Sequence, residues 1–245
     1  MTSAISPGFY GRIPAVRGPV NINLPEQVSR GLGHWLQQCL SYGQPRLGQR
    51  WLPLYLACPP WRFMLSGGVL GPKVWAGVMI PSVDKEGHYY PFVVAHPLSD
   101  TAVPTLFWVK QPGWFNQLEQ LALLALEDGV DLEQLQVRGA MLEVPDFDSF
   151  SSQSQWSPGK PLVMELASTQ QNPLECYPLL LHDLLQQRLT CYSLWASAGN
   201  DQISPAQLVT AYLPSPRCYT SLIAGDWQAS GWSQPFPVAP PLAIV

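Results

Sequence analysis

Three strand-like segments follow one another in the first half of the chain, and they constrain its fold more than any other feature. They cover residues 61–65, 74–80 and 89–95 and are rich in Val, Ile and aromatic residues. Two polar turns that contain glycine lie between them, at residues 66–68 and 84–87. Short connections of this kind join antiparallel neighbours, so the pattern predicts an antiparallel meander.

Helical periodicity surrounds this meander. Apolar residues recur along one face from Val28 to Leu40, which predicts a helix over residues 25–42 that ends at Gly43. Helices mixed with antiparallel strands are typical of an α+β fold. The same reasoning predicts a shorter or kinked helix around Pro53, helices over residues 114–127, around 177–185 and over 216–224, and strands over residues 190–195 and 207–213.

The chain is predicted to form a single αβ domain over residues 1–245. Residues 145–159 are dominated by Ser, Asp, Gln and Pro and have no period, which indicates an internal loop or a joint between two halves. Residues 235–245 carry four prolines and are predicted to be an extended tail, because proline cannot pair within a central strand.

The composition excludes several classes of function. Net charge is −4, from 13 Lys and Arg against 17 Asp and Glu, so no basic stripe is available for a nucleic acid partner. The sequence has no long apolar run, so we expect no direct insertion into a membrane. The five cysteines are odd in number and widely spaced, which favours buried reduced thiols in an intracellular protein.

The most enzyme-like string is Asp146-Phe147-Asp148-Ser149, which follows an apolar run over residues 140–144 that we interpret as a strand. Two carboxylates at this spacing could hold Mg²⁺ for phosphoryl transfer. Asp and Ser also cluster in loops, where their side chains bind nearby backbone groups, and Pro145 interrupts the junction. The string is therefore predicted to be a solvated turn.

Other candidate sites are weaker. Residues 66–73 resemble a phosphate-binding loop, but no Ser or Thr follows Lys73 and Pro72 lacks an N–H, which favours a plain connection. The four histidines are scattered and do not show the spacing of a zinc site. The sequence therefore predicts no catalytic residues, no metal, no cofactor and no enzymatic activity.

Four polar residues lie within strongly apolar or aromatic runs, in a chain with few charges: Arg12, Arg62, Asp84 and His88. An Arg beside aromatic residues makes planar, directional contacts of the kind found at protein interfaces. Arg62 could equally form a buried pair with Asp84 and tie the strand edge to the turn. Both interpretations stay open for Arg62 and Asp84, and the structural one is favoured for Arg12.

Three strings share an order of Gly, Pro and aromatic residues with one known family. They are Gly8-Phe9-Tyr10-Gly11-Arg12-Ile13-Pro14, then Leu47-Gly48-Gln49-Arg50-Trp51 through Pro59-Pro60-Trp61-Arg62-Phe63, and Gly71-Pro72-x-x-Trp75-x-Gly77-Val78-Met79-x-Pro81-Ser82-Val83-Asp84-x-x-Gly87-His88-Tyr89-Tyr90-Pro91. Together they resemble the TagF or ImpM accessory proteins of bacterial type VI secretion. The resemblance covers about residues 8–98 well and the C-terminal half more loosely.

This resemblance implies a fold and a function. The implied fold is α+β, a three-layer α-β-α sandwich around a mostly antiparallel sheet, similar to longin-like modules. The implied function is a non-enzymatic cytoplasmic regulator that represses secretion after translation by binding a forkhead-associated scaffold protein. On this interpretation residues 82–88 form either a loop presented to the partner or a plain turn, and the partner-binding candidates are Arg12, Arg62, Ser82, Asp84 and His88.

Two other functions remain open from the sequence. One is a small metal-dependent phosphatase or hydrolase that uses Asp146 and Asp148. The other is a structural subunit of the secretion assembly.

Overall fold

A single antiparallel sheet runs through the protein, for which we obtained a computed structural model that describes residues 6–99, 102–143, 145, 156, 160–165, 168, 170 and 172–235. The sheet has seven strands in the described residues, in the order β2-β1-β5-β4-β3-β6-β7, and every neighbouring pair is antiparallel. The predicted meander is confirmed as β3, β4 and β5. The strands are β1 (Gly8–Gly11), β2 (Val20–Ile22), β3 (Trp61–Leu65), β4 (Trp75–Ile80), β5 (Phe92–Pro97), β6 (Tyr192–Ser197) and β7 (Ala206–Ala211).

Helices cover both faces of this sheet. Side chains of β4 alternate between two apolar cores, because successive residues of a strand point to opposite faces: Trp75 and Met79 enter one core and Val78 enters the other. The predicted α+β fold is confirmed, with the sheet between helical layers. The helices are α1 (Glu26–Leu47), α2 (Trp51–Leu56), α3 (Pro104–Lys110), α4 (Pro112–Leu124), α5 (Leu132–Ala140), α6 (Tyr177–Leu189) and α7 (Pro216–Ala224).

Each helical layer packs on a different apolar core. The first core receives Trp35 from α1, Tyr55 from α2 and Leu222 from α7. The second core receives Leu118 from α4 and Leu135 from α5, while α3 and α6 contribute to the same side. Buried aromatic rings fill much of the first core. Their large apolar surfaces stabilise the fold when they are removed from water, in a chain with only 12% charged residues.

Helix α1 is longer than its periodicity predicts. Gly43 does not end it: this residue is buried inside the helix, and an added Cβ there would lie 3.5 Å from Thr220 Oγ1 of α7. Gly43 thus lies where α1 packs against α7. The helix ends instead at Gly48, whose φ of +54° favours glycine.

The kinked or shorter helix predicted around Pro53 is the six-residue α2. Pro53 is its third residue, and the N–H groups of a first turn have no partner within the helix. The missing donor therefore does not disturb it.

The apolar run over residues 140–144 was interpreted as a strand, and this is wrong for residues 140–143, which the structure describes. Ala140 is the last residue of α5, which begins with a capping box: the Asp131 carboxylate accepts from Gln134 N at 2.9 Å, and Gln134 Oε1 accepts from Asp131 N. Sequence reasoning also missed β1, β2, α3 and α5. Strands of three or four residues and helices of seven or nine are too short to show a clear period.

Most of the predicted loop over residues 145–159 and of the predicted tail over residues 235–245 lies outside the described residues. Within the described ranges, no helix combines the length and the apolar character needed to cross a bilayer.

Candidate functional site

The turn between β4 and β5 brings together three of the predicted site residues. Strand β5 begins at Phe92, later than predicted, and before it the chain makes an isolated bridge between Val83 and Tyr89. Asp84 N donates to His88 O at 3.1 Å, and Gly87 takes a φ of +84°, a conformation that glycine adopts without steric cost. We call residues 81–91 the hairpin turn.

Asp84 organises the hairpin turn from inside. Its side chain is fully buried, and its Oδ1 accepts from the backbone N–H groups of Glu86 and His88, each at 2.9 Å. Its Oδ2 accepts from the guanidinium of Arg12, which follows β1 in the chain. His88 Nδ1 lies 3.2 Å from both carboxylate oxygens. One carboxylate therefore ties the turn to itself and to the neighbouring strand.

The structure corrects one pairing. Arg62 was expected as a possible partner of Asp84, but its Nε donates to Glu119 Oε2 at 2.7 Å and its Nη2 donates to Asn116 Oδ1 at 2.8 Å. Arg62 stands opposite Val78 in the sheet, on the face that α4 covers, whereas Asp84 lies beyond the end of β4. Arg62 thus ties α4 to β3.

The main chain of Ser82 is held by a tyrosine that sequence reasoning missed. The Tyr55 hydroxyl donates to Ser82 O and accepts from Ser82 N, both at 2.9 Å. Burial raises the pKa of Tyr55, so the phenol keeps the proton it donates. Trp51 stacks on Tyr55 with ring centroids 5.0 Å apart. Nothing in the sequence pattern marks Tyr55 for this role, because its partner is 27 residues away.

Exposure separates the five predicted partner-binding residues. The side chain of His88 is 60% exposed, those of Arg12 and Arg62 are 24% and 27% exposed, and Ser82 and Asp84 are buried. Ser82 and Asp84 therefore shape the hairpin turn from within, while His88 is its surface group. A role of these residues in partner binding stays a prediction.

Asp84, Glu86 and His88 place potential metal-ligand atoms within 4.8 Å of one another, a grouping that sequence reasoning missed although the residues alternate in the chain. However, the Asp84 carboxylate, which would be one of the ligands, already has hydrogen-bond partners. Asp84 accepts two amide hydrogens, and the guanidinium of Arg12 beside it opposes a second cation. The arrangement fits a turn-stabilising network better than a cation site.

The glycine-rich segment over residues 66–73 connects β3 to β4, as predicted. Gly68 N donates to Gly71 O at 2.7 Å, so this amide is used within the turn itself. Asp146 and Asp148 lie outside the described residues.

Residues 8–142 match the family described as "TagF N-terminal domain, Type VI secretion system-associated". The chain belongs to the TagF family. The matched span runs from β1 to just beyond α5, so it contains Arg12, the hairpin turn and the contacts of Arg62. Family membership makes this a type VI secretion-associated protein, in agreement with the resemblance seen in the sequence.

A solved structure extends the likeness over the whole chain. The crystal structure of PA0076 from Pseudomonas aeruginosa PAO1 superimposes with a TM-score of 0.77 at 27% sequence identity. The match covers 97% of this chain and 100% of PA0076. A comparison with curated proteins finds no match.

Proposed function

We propose that this TagF family protein is a non-enzymatic, cytoplasmic regulator that represses type VI secretion after translation by binding a forkhead-associated scaffold protein. Membership of a family associated with type VI secretion supports the setting. The single observation that carries the binding role is the hairpin turn, whose conformation is held from inside by Asp84 while His88 and Glu86 face outward. A rigid turn with exposed polar side chains is suited to recognition, because little conformational freedom is lost on binding.

The state of two thiols, the buried Cys39 and the half-buried Cys58, supports a role without covalent chemistry. Burial raises the pKa of the Cys58 thiol to about 12, and burial also raises the pKa of Cys39. The thiolate is the nucleophilic form of cysteine, so both groups are protonated and unreactive near pH 7. In addition, the Cys58 thiol donates to Leu222 O at 3.3 Å, which is a structural contact.

The binding proposal is tested with the purified chain and the forkhead-associated scaffold protein of the same secretion system. We expect a stoichiometric complex in the soluble fraction, and increased secretion when the gene for this chain is deleted. Replacing the exposed pair by Ala, in His88→Ala with Glu86→Ala, is expected to weaken the complex by about tenfold, the effect of losing one or two interface contacts.

The matched control replaces exposed polar residues of α1, in His34→Ala with Gln37→Ala, and should leave the complex intact. Equal affinity of the hairpin-turn variant and the control would reject this surface as the binding site. Stable incorporation of the chain into the assembled secretion machine, with no free complex, would instead favour a structural subunit.

The non-enzymatic proposal has its own test. Purified protein is assayed with generic phosphate esters in the presence of Mg²⁺ or Mn²⁺, and we expect no turnover. Turnover that disappears in Asp146→Asn would overturn the proposal and favour a metal-dependent phosphatase.

A further inference from the structure

The sheet has two edges, and they differ in length and in protection. Among the described residues, β2 forms one edge with three residues and β7 forms the other with six. All six residues of β7 pair in unbroken register with β6, so no bulge twists this edge away. Lys, Arg and Pro, which commonly protect an edge, are absent from β7, and residues 202–216 carry no charged side chain. Strand β7 is therefore an open template for a further strand.

Contacts with β6 show which backbone groups of β7 face the open side. Tyr212 N donates to Cys191 O at 3.3 Å, so the main chain of Tyr212 faces β6. Because the backbone groups of an antiparallel strand alternate between its two sides, those of Gln207, Val209 and Ala211 face away from β6. Apart from a threonine hydroxyl that donates to Ala211 O, the described part of the chain offers these groups no partner. An extended main chain is the ligand that satisfies all of them together.

A second copy of β7 fits this edge by symmetry. When two β7 strands lie antiparallel about a two-fold axis at Val209, Val209 faces its own counterpart, and Gln207 faces Ala211 in both directions. Each pair exchanges two N–H···O bonds, so every outward backbone group of the edge is used. The pairing brings no like charges together, although each copy carries a net charge of −4, because the edge itself is uncharged.

The sheet face beside this edge adds apolar surface. Val209 is 41% exposed and lies opposite Leu194, which enters the second core, so both side chains point to the same face. Helix α6 packs on β6 on this face, and its Leu181 and Leu184 remain 44% and 40% exposed. In the paired sheet the two α6 helices would be separated by about three strand spacings, roughly 14 Å. Their exposed apolar side chains can therefore approach each other across the seam.

We propose that the open edge of β7 binds β7 of a second copy of this chain, so that two sheets join into one continuous antiparallel sheet about a two-fold axis at Val209. The interface is isologous, since the same residues meet from both copies, and it closes at two copies. It removes the open edge of β7 from both molecules at once. The proposal does not depend on the repressor role, because β7 is not part of the hairpin turn.

Sedimentation equilibrium of the purified chain, from about 1 μM to about 100 μM, measures the association. We expect the mass to rise with concentration from 27.1 kDa towards twice that value. A mass that stays at 27.1 kDa over the whole range would overturn the proposal.

Charge variants at the axis test the register. Val209→Lys and Val209→Glu each place two like charges opposite each other, and each should weaken the dimer at least about tenfold. Mixed in equal amounts, the two variants should form a dimer again, because opposite charges then face each other across the axis. An edge that pairs with another segment or with another protein would not show this recovery. Variants that stay monomeric when mixed would overturn the two-fold pairing at Val209.

A backbone variant and a control on the other edge complete the test. Val209→Pro removes an outward N–H and leaves the bonds to β6, as proline can on an edge strand, and it should weaken the dimer about tenfold. The control is Asn21→Lys, at an exposed position of β2, and it should dimerise as the wild type does. Far-UV circular dichroism checks that each variant is folded. Dimerisation that is unchanged in every β7 variant, or lost equally in Asn21→Lys, would overturn the assignment to β7.

Discussion

Replacing Asp84 by Ala removes the acceptor on which the hairpin turn depends. The carboxylate receives hydrogen bonds from Glu86 N, His88 N and the guanidinium of Arg12, and its side chain is fully buried. The variant therefore leaves two backbone donors and one guanidinium without their partner. The turn can open to let water reach the amides, but only by disrupting the bridge between Val83 and Tyr89.

The size of the effect follows from these contacts. Each hydrogen bond lost from a backbone N–H lowers the free energy of unfolding by about 1 kcal/mol, since the turn is near the surface and water replaces part of the interaction. Loss of the Arg12 pair adds about 1 kcal/mol, a value reduced from that of a buried pair because the Arg12 side chain is 24% exposed. The free energy of unfolding should fall by about 3 kcal/mol, which corresponds to roughly 6–12 °C in Tm for a chain of this size.

Urea unfolding of Asp84→Ala, followed by far-UV circular dichroism, measures this change. Arg12→Ala should cost only about 1 kcal/mol, because Asp84 keeps its two amide donors, and the double variant should show a coupling energy of about 1 kcal/mol. Glu86→Ala, with a side chain 50% exposed, serves as control and should stay within about 0.5 kcal/mol of the wild type. An unfolding midpoint for Asp84→Ala equal to that of Glu86→Ala would refute this account of the turn.

Three further predictions concern the core. In Gly77→Ala the new Cβ would lie 2.2 Å from Phe63 Cζ, so we expect the free energy of unfolding in urea to fall by about 2–3 kcal/mol. Adding Phe63→Leu should recover part of this loss, and an unchanged unfolding midpoint in Gly77→Ala would contradict this packing. Burial lowers the pKa of His182, whose Nδ1 lies 2.7 Å from the Tyr192 hydroxyl, so the unfolded chain takes up the proton first as pH falls below about 6.5. Stability should therefore decrease between pH 7 and pH 5, more in the wild type than in His182→Gln, and equal slopes would exclude this contribution. The Cys58 thiol should react with iodoacetamide at pH 8 far more slowly in native protein than in urea, as mass spectrometry of the alkylated peptide can show; rapid native labelling would contradict its raised pKa.

The predicted turn at residues 84–87 and the family strings pointed to the correct part of the chain for the candidate site. The sequence did not reveal which charges meet there. Arg62 and Asp84 were considered as partners because both interrupt apolar runs, yet Arg62 reaches α4 and Asp84 reaches Arg12, which is 72 residues away. The order of the strands in the sheet decides which side chains meet when they are so far apart in the sequence. The position of β1 beside β5 was not predicted.

Local sequence patterns were sufficient to predict some of the secondary-structure elements. The strands β3 and β4 and the helix α7 follow from β-branched and aromatic runs, turn residues and apolar period, and their bounds were predicted to within one residue. The family strings likewise identified the TagF family without coordinates.

Only the tertiary structure decided the strand order and the ion pairs. Gly33 illustrates the reason: its helical cost is visible in the sequence, but an added Cβ would lie 2.2 Å from Tyr10 Oη, a contact that exists only because the sheet packs against α1. Local preferences act over a few residues, whereas packing joins residues from anywhere in the chain. The sequence alone therefore determined the family of this protein and its strongly patterned elements, and the way the elements pack decided which polar groups meet.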